Sequence, residues 1–300
     1  MKIGYPCINR SIGCSANRTF RLNSYSEKYL IDTVWNNLNC LEKILIFNVS
    51  KNILFFRITS DLVPFASHPV NKFKWQKYFS DKFREIGDFI KEKHIRISMH
   101  PDQFTLINSP DTEIFKRSVA ELEYHSDVLD LMHLSSDAKI QIHVGGVYKD
   151  KTMSIKRFIN RYKMLDERIR RRLVIENDDR NYTFAECLEI YRQTGIPVLF
   201  DSFHHSINSS GETVRENVES ASKTWGEKDG ILMMDYSSQK KGSPTGTHSY
   251  NISISAFQRF LKETAPFDFD IMLEIKDKEV SALKAVNVAK KDSRFIKLKE

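Results

Sequence analysis

The sequence lacks the long apolar stretch that a membrane helix or a secretory signal requires. Its longest apolar runs, such as ILIF at 44–47, fall far short of the ~20 residues that span a bilayer. The opening residues, MKIGYPCINRS, contain no apolar segment of signal-peptide length. We therefore expect a cytoplasmic protein that works inside the cell without a membrane partner.

The sequence is also poor in cysteine and in glycine-rich segments. The four cysteines, Cys7, Cys14, Cys40 and Cys187, form no CxxC pair, and a chain of 300 residues does not depend on disulfides for its core. We expect these thiols to be reduced. No glycine-rich phosphate turn follows an early strand, which argues against a doubly wound sheet and predicts no nucleotide cofactor.

The composition that remains is that of an ordinary globular chain, with 41% hydrophobic and 28% charged residues. The net charge of +7 agrees with a polyanionic partner, although many basic proteins bind no nucleic acid. The run KRFINRYKMLDERIRRR (156–172) concentrates this charge. Because its apolar residues recur at helical spacing, we interpret it as the solvated face of an outer helix.

Short strand-like runs alternate with longer stretches of helical period. The expected strands are KIGYP (2–6), LFFRITS (54–60), RISMH (96–100), IQIHV (140–144), LVIEN (173–177), PVLFD (197–201), ILMMDY (231–236) and IMLEI (271–275). The expected helices include residues 26–47, 112–134, 183–195 and 253–264. Eight such units in about this length predict an α/β fold, the (β/α)₈ TIM barrel, as a single domain over residues 1–300.

Histidines and acids stand at or near the carboxyl ends of six consecutive expected strands. They are His100, His143, Glu176, Asp201, Asp235 and Glu274. In a barrel these ends converge on one mouth, where active sites are built. So many acids and imidazoles would repel one another or lose solvation unless cations neutralise them. The set therefore predicts divalent metals, and mixed imidazole and carboxylate ligands favour Zn²⁺, Mn²⁺ or Fe²⁺ over Ca²⁺.

Two further histidines extend this set. In DSFHH (201–205), Asp201 and His204 lie three residues apart on the turn that leaves the sixth strand, so both can reach one cluster. His248 lies in SSQKKGSPTGTHSY (237–250), a Gly/Ser/Thr-rich loop that a bound metal would order. Both histidines are therefore added to the predicted ligands.

Each of these residues also has a structural interpretation when taken alone. His143 on an apolar strand is more typical of a hydrogen-bonded core histidine, and Glu176 and Glu274 could equally form ion pairs within the barrel. His205 is expected to be a structural neighbour of His204. The histidines on helical patterns are expected at the surface, namely His94, His125 and His133. The metal prediction therefore depends on the set as a whole.

Two classes of barrel enzyme use such sites. Sugar isomerases and epimerases hold one or two metals with carboxylates and a histidine, whereas phosphodiester-cleaving nucleases gather three metals with many histidines. The chain offers eight candidate ligands: His100, His143, Glu176, Asp201, His204, Asp235, His248 and Glu274. Eight exceed the usual needs of two metals, which favours the nuclease, and the basic charge agrees.

A series of motifs runs in order along nearly the whole chain. They are GYPCINRSI (4–12), NRTFRL (17–22), RITSDLVPFASH (57–68), HPDQF (100–104), IHVGG (142–146), IENDD (175–179), FDSFHH (200–205), GTHSYN (246–251) and MLEIKDKE (272–279). Their combination resembles the UV-damage endonucleases and, more broadly, the endonuclease IV type of apurinic-site nuclease. The resemblance implies a barrel that nicks damaged double-stranded DNA immediately 5′ to cyclobutane dimers, 6–4 photoproducts or related lesions, and we expect a monomer by default. A metal-activated hydroxide would attack the phosphorus. We expect two or three divalent ions, Mn²⁺ first, with Zn²⁺ or Mg²⁺ as alternatives.

The resemblance also implies how the ligands are shared. His100, His143 and Glu176 would hold one metal, Glu176 would bridge to a second held by Asp201, Asp235 and Glu274, and His204 and His248 would hold a third. The catalytic residues would be Glu176, Glu274 and His68, the last as a contact to the scissile phosphate.

The remaining implied roles concern DNA. Gln103 and Phe104 correspond to a wedge that fills the opened duplex and probes its bases, since an aromatic ring stacks on any base. Further lesion contacts would come from Tyr5 and Asn9, and phosphate contacts from Arg18, Arg57 and Lys276.

Three positions depart from the family pattern. Phe104 stands where the family has tyrosine, so the ring remains and the hydroxyl is lost. Met233 replaces a carboxylated lysine ligand, and Asp235 replaces a histidine. Because positions 233 and 235 share one side of a strand, we interpret Asp235 as a ligand that supplies the missing charge and favours Mn²⁺ or Mg²⁺. The alternatives left open are a sugar isomerase or epimerase and a non-catalytic lesion-binding protein.

Overall fold

The computed structural model describes residues 1–298, and within them eight parallel strands close into a barrel in sequential order. The strands are β1 (Ile3–Pro6), β2 (Phe55–Ile58), β3 (Arg96–Met99), β4 (Lys139–His143), β5 (Leu173–Glu176), β6 (Val198–Asp201), β7 (Leu232–Tyr236) and β8 (Phe269–Leu273). The predicted (β/α)₈ fold is confirmed. Positions 299–300 of the predicted domain lie outside the described residues.

Helices cover the outside of the barrel. They are α1 (Glu27–Ser50), α2 (Trp75–Tyr78), α3 (Ser80–Glu92), α4 (Thr112–Leu131), α5 (Lys151–Met164), α6 (Glu167–Arg170), α7 (Phe184–Thr194), α8 (Ser202–Ile207), α9 (Val214–Ser222), α10 (Ile254–Glu263) and α11 (Glu279–Ala289). Among the helices of residues 1–298, none has both the length and the apolarity to cross a bilayer.

The barrel closes between its first and last strands. Ile3 pairs with Ile271 and Gly4 with Met272, while on the other side Gly4 pairs with Phe55. A Cβ added at Gly4 would lie 2.3 Å from the backbone oxygen of Phe55. The first strand therefore needs a glycine where it approaches β2 most closely.

The barrel interior contains a closed apolar layer, separate from the larger core between strands and helices. Its members are Phe55, Val174, Leu199, Met233 and Met272. Each is followed two positions later by a polar residue, in the order Arg57, Glu176, Asp201, Asp235 and Glu274. Because side chains alternate along a strand, these residues face the same interior one layer nearer the mouth. The apolar layer is thus the floor of a polar chamber.

The basic run 156–172 differs from its prediction as one outer helix. The helical path breaks between α5 and α6, and Arg172 is 1% exposed. The Arg172 guanidinium donates to Asp130 and to the backbone oxygens of Leu134 and Ser135. The Arg172 charge is therefore buried in the fold, where the guanidinium is paired with a carboxylate and hydrogen-bonded to backbone carbonyl groups.

The cysteines also differ from the prediction. Cys14, in the segment that follows β1, is joined to Cys40 of α1 by a disulfide, with the Cα atoms 5.9 Å apart. Cys7 and Cys187 are thiols. The expectation of four reduced cysteines was wrong because the tertiary fold lays the segment after β1 across α1, which spacing along the chain does not reveal.

Candidate metal centre

The carboxyl ends of the strands bring together three overlapping groups of side chains that could hold metal ions. They are His100–His143–Glu176, Glu176–Asp201–His204 and Asp201–Asp235–Glu274, with one ligand atom of each residue within 4.8 Å of the others in its group. Glu176 and Asp201 are each shared by two groups. Seven of the eight predicted ligands therefore form one continuous cluster.

The eighth predicted ligand borders this cluster. Nε2 of His248 lies 3.9 Å from Oε2 of Glu274. The rings of His248 and His204, which were predicted to share a metal, have their centroids 6.2 Å apart. His248 therefore lies next to both Glu274 and His204 at the border of the cluster.

Three of the histidines are oriented in the same way. Nδ1 of His100 lies 2.8 Å from the backbone oxygen of Pro101. Nδ1 of His204 lies 3.0 Å from the backbone oxygen of Asn177, and Nδ1 of His248 lies 2.8 Å from that of Glu274. A carbonyl oxygen can only accept, so Nδ1 must carry the proton. In the neutral ring the Nε2 lone pair is then free for a metal, as is common in histidine ligands.

Glu176 is the centre of the first group. Its side chain is 2% exposed, and Oε1 lies 2.9 Å from Nε2 of His100 and 3.2 Å from Nε2 of His143. Burial would raise the pKa of Glu176, but the imidazoles of His143 and His100 lower it below its ordinary range. A carboxylate oxygen facing two imidazole nitrogens is stable when a cation lies between them.

Asp201 and His204 form the second group with Glu176. Oδ1 of Asp201 accepts from the backbone N–H groups of Phe203 at 2.7 Å and His204 at 2.8 Å. Within residues 1–298 its buried Oδ2 makes no hydrogen bond, although Nδ1 of His204 lies 3.2 Å away. Burial raises the pKa of Asp201 to about 7. A buried carboxylate oxygen that makes no hydrogen bond is suited to metal coordination, which would supply the missing interaction.

The carboxylates of this second group also stabilise positive charge on the His204 imidazole. Burial opposes protonation of His204, yet Asp201 and Glu176 raise the pKa of its imidazole to about 9. Nδ1 of His143 is likewise buried without a hydrogen-bond partner in the described part of the chain. The first two groups therefore fit divalent cations that take imidazole and carboxylate ligands together.

The third group already contains a cation. Nη2 of Arg57 lies 2.8 Å from both oxygens of Asp235, and Nη1 donates to Glu274. Arg57 is 3% exposed and bound to these carboxylates, so its predicted contact with a DNA phosphate finds no support here, although it lines the cavity at the mouth. Burial would raise the pKa of Glu274, but Arg57 lowers it to about 2. Arg57 therefore belongs to the interior of the site.

Gln141 was missed by the sequence analysis although it lies inside the cluster. Its amide Nε2 donates to Glu176 at 2.6 Å and to Asp235 at 2.7 Å, and its Oε1 accepts from Arg57 at 2.7 Å. Gln141 stands two residues before His143 on β4, so the alternation of strand side chains was the signal that could have found it.

Tyr5 and Asn9, predicted to contact the lesion, are buried. The Tyr5 hydroxyl donates to Oδ1 of Asn48 at 2.7 Å and accepts from Nδ2 of Asn9 at 2.9 Å. Tyr5 is 0% and Asn9 3% exposed. The predicted contacts are corrected to a structural role, because these side chains join β1 and its loop to α1.

His125, expected at the surface, is also buried. Its Nδ1 lies 2.8 Å from the backbone oxygen of Glu121 and its Nε2 3.2 Å from Oγ of Ser60, which in turn donates to the backbone oxygen of His100 at 2.7 Å. The prediction of a surface position was wrong because His125 lies on the side of α4 that packs against the barrel. His125 supports the loop that carries a metal-ligand candidate.

The predicted DNA wedge lies beside the cluster. Gln103 and Phe104 are exposed, and they line a cavity of about 570 Å³ together with His100, Glu274 and Lys276. The cavity therefore joins the candidate metal ligands to an exposed amide, an aromatic ring and a cationic side chain.

His68 lies on the other side of Phe104, in a cavity of about 420 Å³ that both residues line. The imidazole is exposed, and its Nδ1 accepts from the backbone N–H of Val70 at 3.0 Å. In the neutral ring the proton must then be on Nε2. His68 can therefore donate a hydrogen bond to an anionic group at the mouth.

Arg18 and Lys276 have exposed side chains on anchored backbone. The Arg18 backbone exchanges two hydrogen bonds with Asn37, at 3.0 and 2.9 Å, and the Lys276 N–H donates to Ser249 at 3.2 Å. Both charges are therefore available to phosphates in solution.

Comparison with known proteins gives consistent results. The sequence matches the family described as UV-endonuclease UvdE over residues 1–298. It is 39% identical over 301 residues to the UV DNA damage endonuclease of Clostridium perfringens (strain 13 / Type A), covering 100% of this chain and 73% of that protein. Its fold matches the solved structure of SacUVDE with a TM-score of 0.93 and 45% identity, over 97% of this chain and 98% of that one. Endonuclease IV from Thermus thermophilus shares the fold alone, at a TM-score of 0.57 and 14% identity over 84% and 93% of the two chains.

Proposed function

The chain belongs to the UvdE family of UV-endonucleases and is a hydrolase of that class, and we propose on this premise that it is a metal-dependent repair enzyme. It nicks the phosphodiester bond immediately 5′ to cyclobutane dimers, 6–4 photoproducts and related lesions in duplex DNA. It acts as a monomer on cellular DNA, with two or three divalent ions, Mn²⁺ first.

One observation carries this proposal. The buried carboxylate of Glu176 faces the Nε2 atoms of His100 and His143 at 2.9 and 3.2 Å, and His100 lines the same cavity as the exposed Phe104. A metal cluster and an aromatic probe at one mouth are what a nuclease needs in order to cut beside a distorted base.

The bound ions would activate water, hold the phosphate and stabilise the leaving oxygen. The chain's own residues prepare their places. Glu176 is shared by two ligand groups, and the carbonyl groups of Pro101 and Asn177 hold His100 and His204 with Nε2 turned inward. Such second contacts orient histidine ligands and increase their basicity.

Other residues would bind the DNA. Phe104 would stack on bases at the lesion while Gln103 offers its amide to base edges. Arg18 and Lys276 would contact phosphates, and His68 would donate from Nε2 to the scissile phosphate. These assignments agree with the exposure of all five side chains.

The test is incubation of the protein with a UV-irradiated, end-labelled duplex and Mn²⁺, with and without chelator. We expect a nick on the 5′ side of the lesion, with a 3′-hydroxyl and a 5′-phosphate, that the chelator abolishes and that an unirradiated duplex does not receive. Intact irradiated DNA in the presence of Mn²⁺ would reject the proposal and leave the lesion-binding alternative. No observation in the structure favours the sugar isomerase alternative over the family's activity.

A further inference from the structure

Arg57 occupies a place that ligand geometry alone would assign to a metal. One oxygen each of Asp201, Asp235 and Glu274 lie within 4.8 Å of one another, which is compatible with a shared ion. Yet the Arg57 guanidinium contacts both oxygens of Asp235 at 2.8 Å and donates to Glu274. The third ligand group thus has its positive charge built into the chain.

The carboxylate of Asp235 is saturated by donors. Beside Arg57, the amide of Gln141 donates to Oδ2 at 2.7 Å, and Asp235 is 0% exposed. Gln141 also accepts from Arg57 at 2.7 Å, so the three side chains form a closed triangle. An ion that entered here would have to break several charge-assisted hydrogen bonds between these side chains, and an arginine cannot make way by losing its proton.

The other two ligand groups have the opposite character. Oε1 of Glu176 faces the Nε2 atoms of His100 and His143, and Oδ2 of Asp201 makes no hydrogen bond within residues 1–298, although Nδ1 of His204 lies 3.2 Å away. Cations are needed there and Arg57 does not reach them, since its guanidinium contacts Asp235, Glu274 and Gln141. The cluster therefore contains two ligand groups that lack a cation and one group in which Arg57 supplies it.

We propose that Arg57 replaces a metal ion in this chain. The protein then holds two divalent ions, at His100–His143–Glu176 and at Glu176–Asp201–His204, while Asp235 is a positioning residue that anchors Arg57. This replaces the interpretation of Asp235 as a metal ligand, and it rests on the proposed function only in requiring metal binding.

The test is a count of tightly bound Mn²⁺ per chain, by elemental analysis after loading and exhaustive dialysis. We expect two ions for the wild type. Asp235→Asn should also retain two, since the amide oxygen can still accept from Arg57, whereas the matched change Asp201→Asn should lose one. The wild-type count alone is informative if a variant fails to fold.

A second pair of variants tests the role of Arg57 directly. Arg57→Met leaves Asp235 and Glu274 without their cation, so we expect a third Mn²⁺ to bind and the melting temperature to become more dependent on Mn²⁺ than in the wild type. Arg57→Met combined with Asp235→Asn should return the count to two, because the new site then loses its ligand.

Three ions in the wild type, falling to two in Asp235→Asn, would overturn the proposal. So would an unchanged count in a folded Arg57→Met variant. These counts need no DNA, so they are independent of the nicking assay: a two-metal protein that leaves irradiated DNA intact would reject the proposed function and retain this inference.

Discussion

Phe104 presents its aromatic ring to solvent at the barrel mouth, with 75% of its surface exposed. A ring in this position contributes little to folding but can stack on a base for ~1–3 kcal/mol. We therefore expect Phe104→Ala to leave the melting temperature unchanged and to weaken binding of an irradiated duplex by roughly 5- to 150-fold. Fluorescence anisotropy in chelator, where the DNA stays uncut, measures this.

The matched control is Met164→Ala, which removes a similarly exposed apolar side chain (72%) at the end of α5. It should leave both the stability and the DNA affinity unchanged. Equal affinities for Phe104→Ala and the wild type would show that the ring is merely part of the rim.

At the residue scale, chemical type located the cluster of ligand candidates but not the contacts of the residues around it. His100, Glu176 and Asp201 could be recognised because buried imidazoles and carboxylates need cations. The contacts of Arg57 and Tyr5 could not be predicted, because an arginine or a tyrosine near a strand end is equally compatible with a DNA-binding surface and with a buried hydrogen-bond network. Their burial, at 3% and 0% exposure, decides the matter.

At the scale of elements, the disulfide between Cys14 and Cys40 joins the segment after β1 to α1. Closing a loop with a sequence separation of 26 restricts the unfolded chain and should stabilise the fold by about 3–4 kcal/mol. We expect the double variant Cys14→Ser/Cys40→Ser to lose about that free energy of unfolding, measured by urea denaturation.

Reductant provides the control for this prediction. It should destabilise the wild type toward the value of the double variant and leave the double variant unchanged. A wild type that is indifferent to reductant, and as stable as the variant, would show that this cross-link contributes nothing to folding.

Strand positions could be predicted because apolar runs with alternating interior residues are local features. Met233 and Asp235 illustrate this alternation, as do Met272 and Glu274. In each pair, a residue of the apolar layer is followed two positions later by a polar residue of the chamber. The break in 156–172 and the burial of His125 escaped prediction because they depend on which helix face meets a neighbouring element.

At the scale of the whole molecule, the net charge of +7 should favour DNA binding through release of counterions. Affinity for duplex DNA should therefore fall steeply with salt. If Lys276 contacts a phosphate at the mouth, Lys276→Gln should weaken binding at low salt and reduce the slope of log K against log salt by about 0.9. Titrations at several salt concentrations measure the slope.

Lys43→Gln is the control for Lys276→Gln, because it removes an equal charge from an exposed position on α1. Its slope should equal that of the wild type. If both variants change the slope equally, Lys276 acts through net charge rather than through a contact.

By itself, the sequence determined the barrel, its family and most of the metal-ligand candidates, because strand alternation and buried charge follow from local pattern and residue type. Only the tertiary structure decided which charges neutralise one another. Arg57 comes from β2, Gln141 from β4 and Asp235 from β7, and their contacts depend on how a closed barrel faces its strands across the interior. Hydrogen bonds over such sequence separations leave no periodic trace in a single chain.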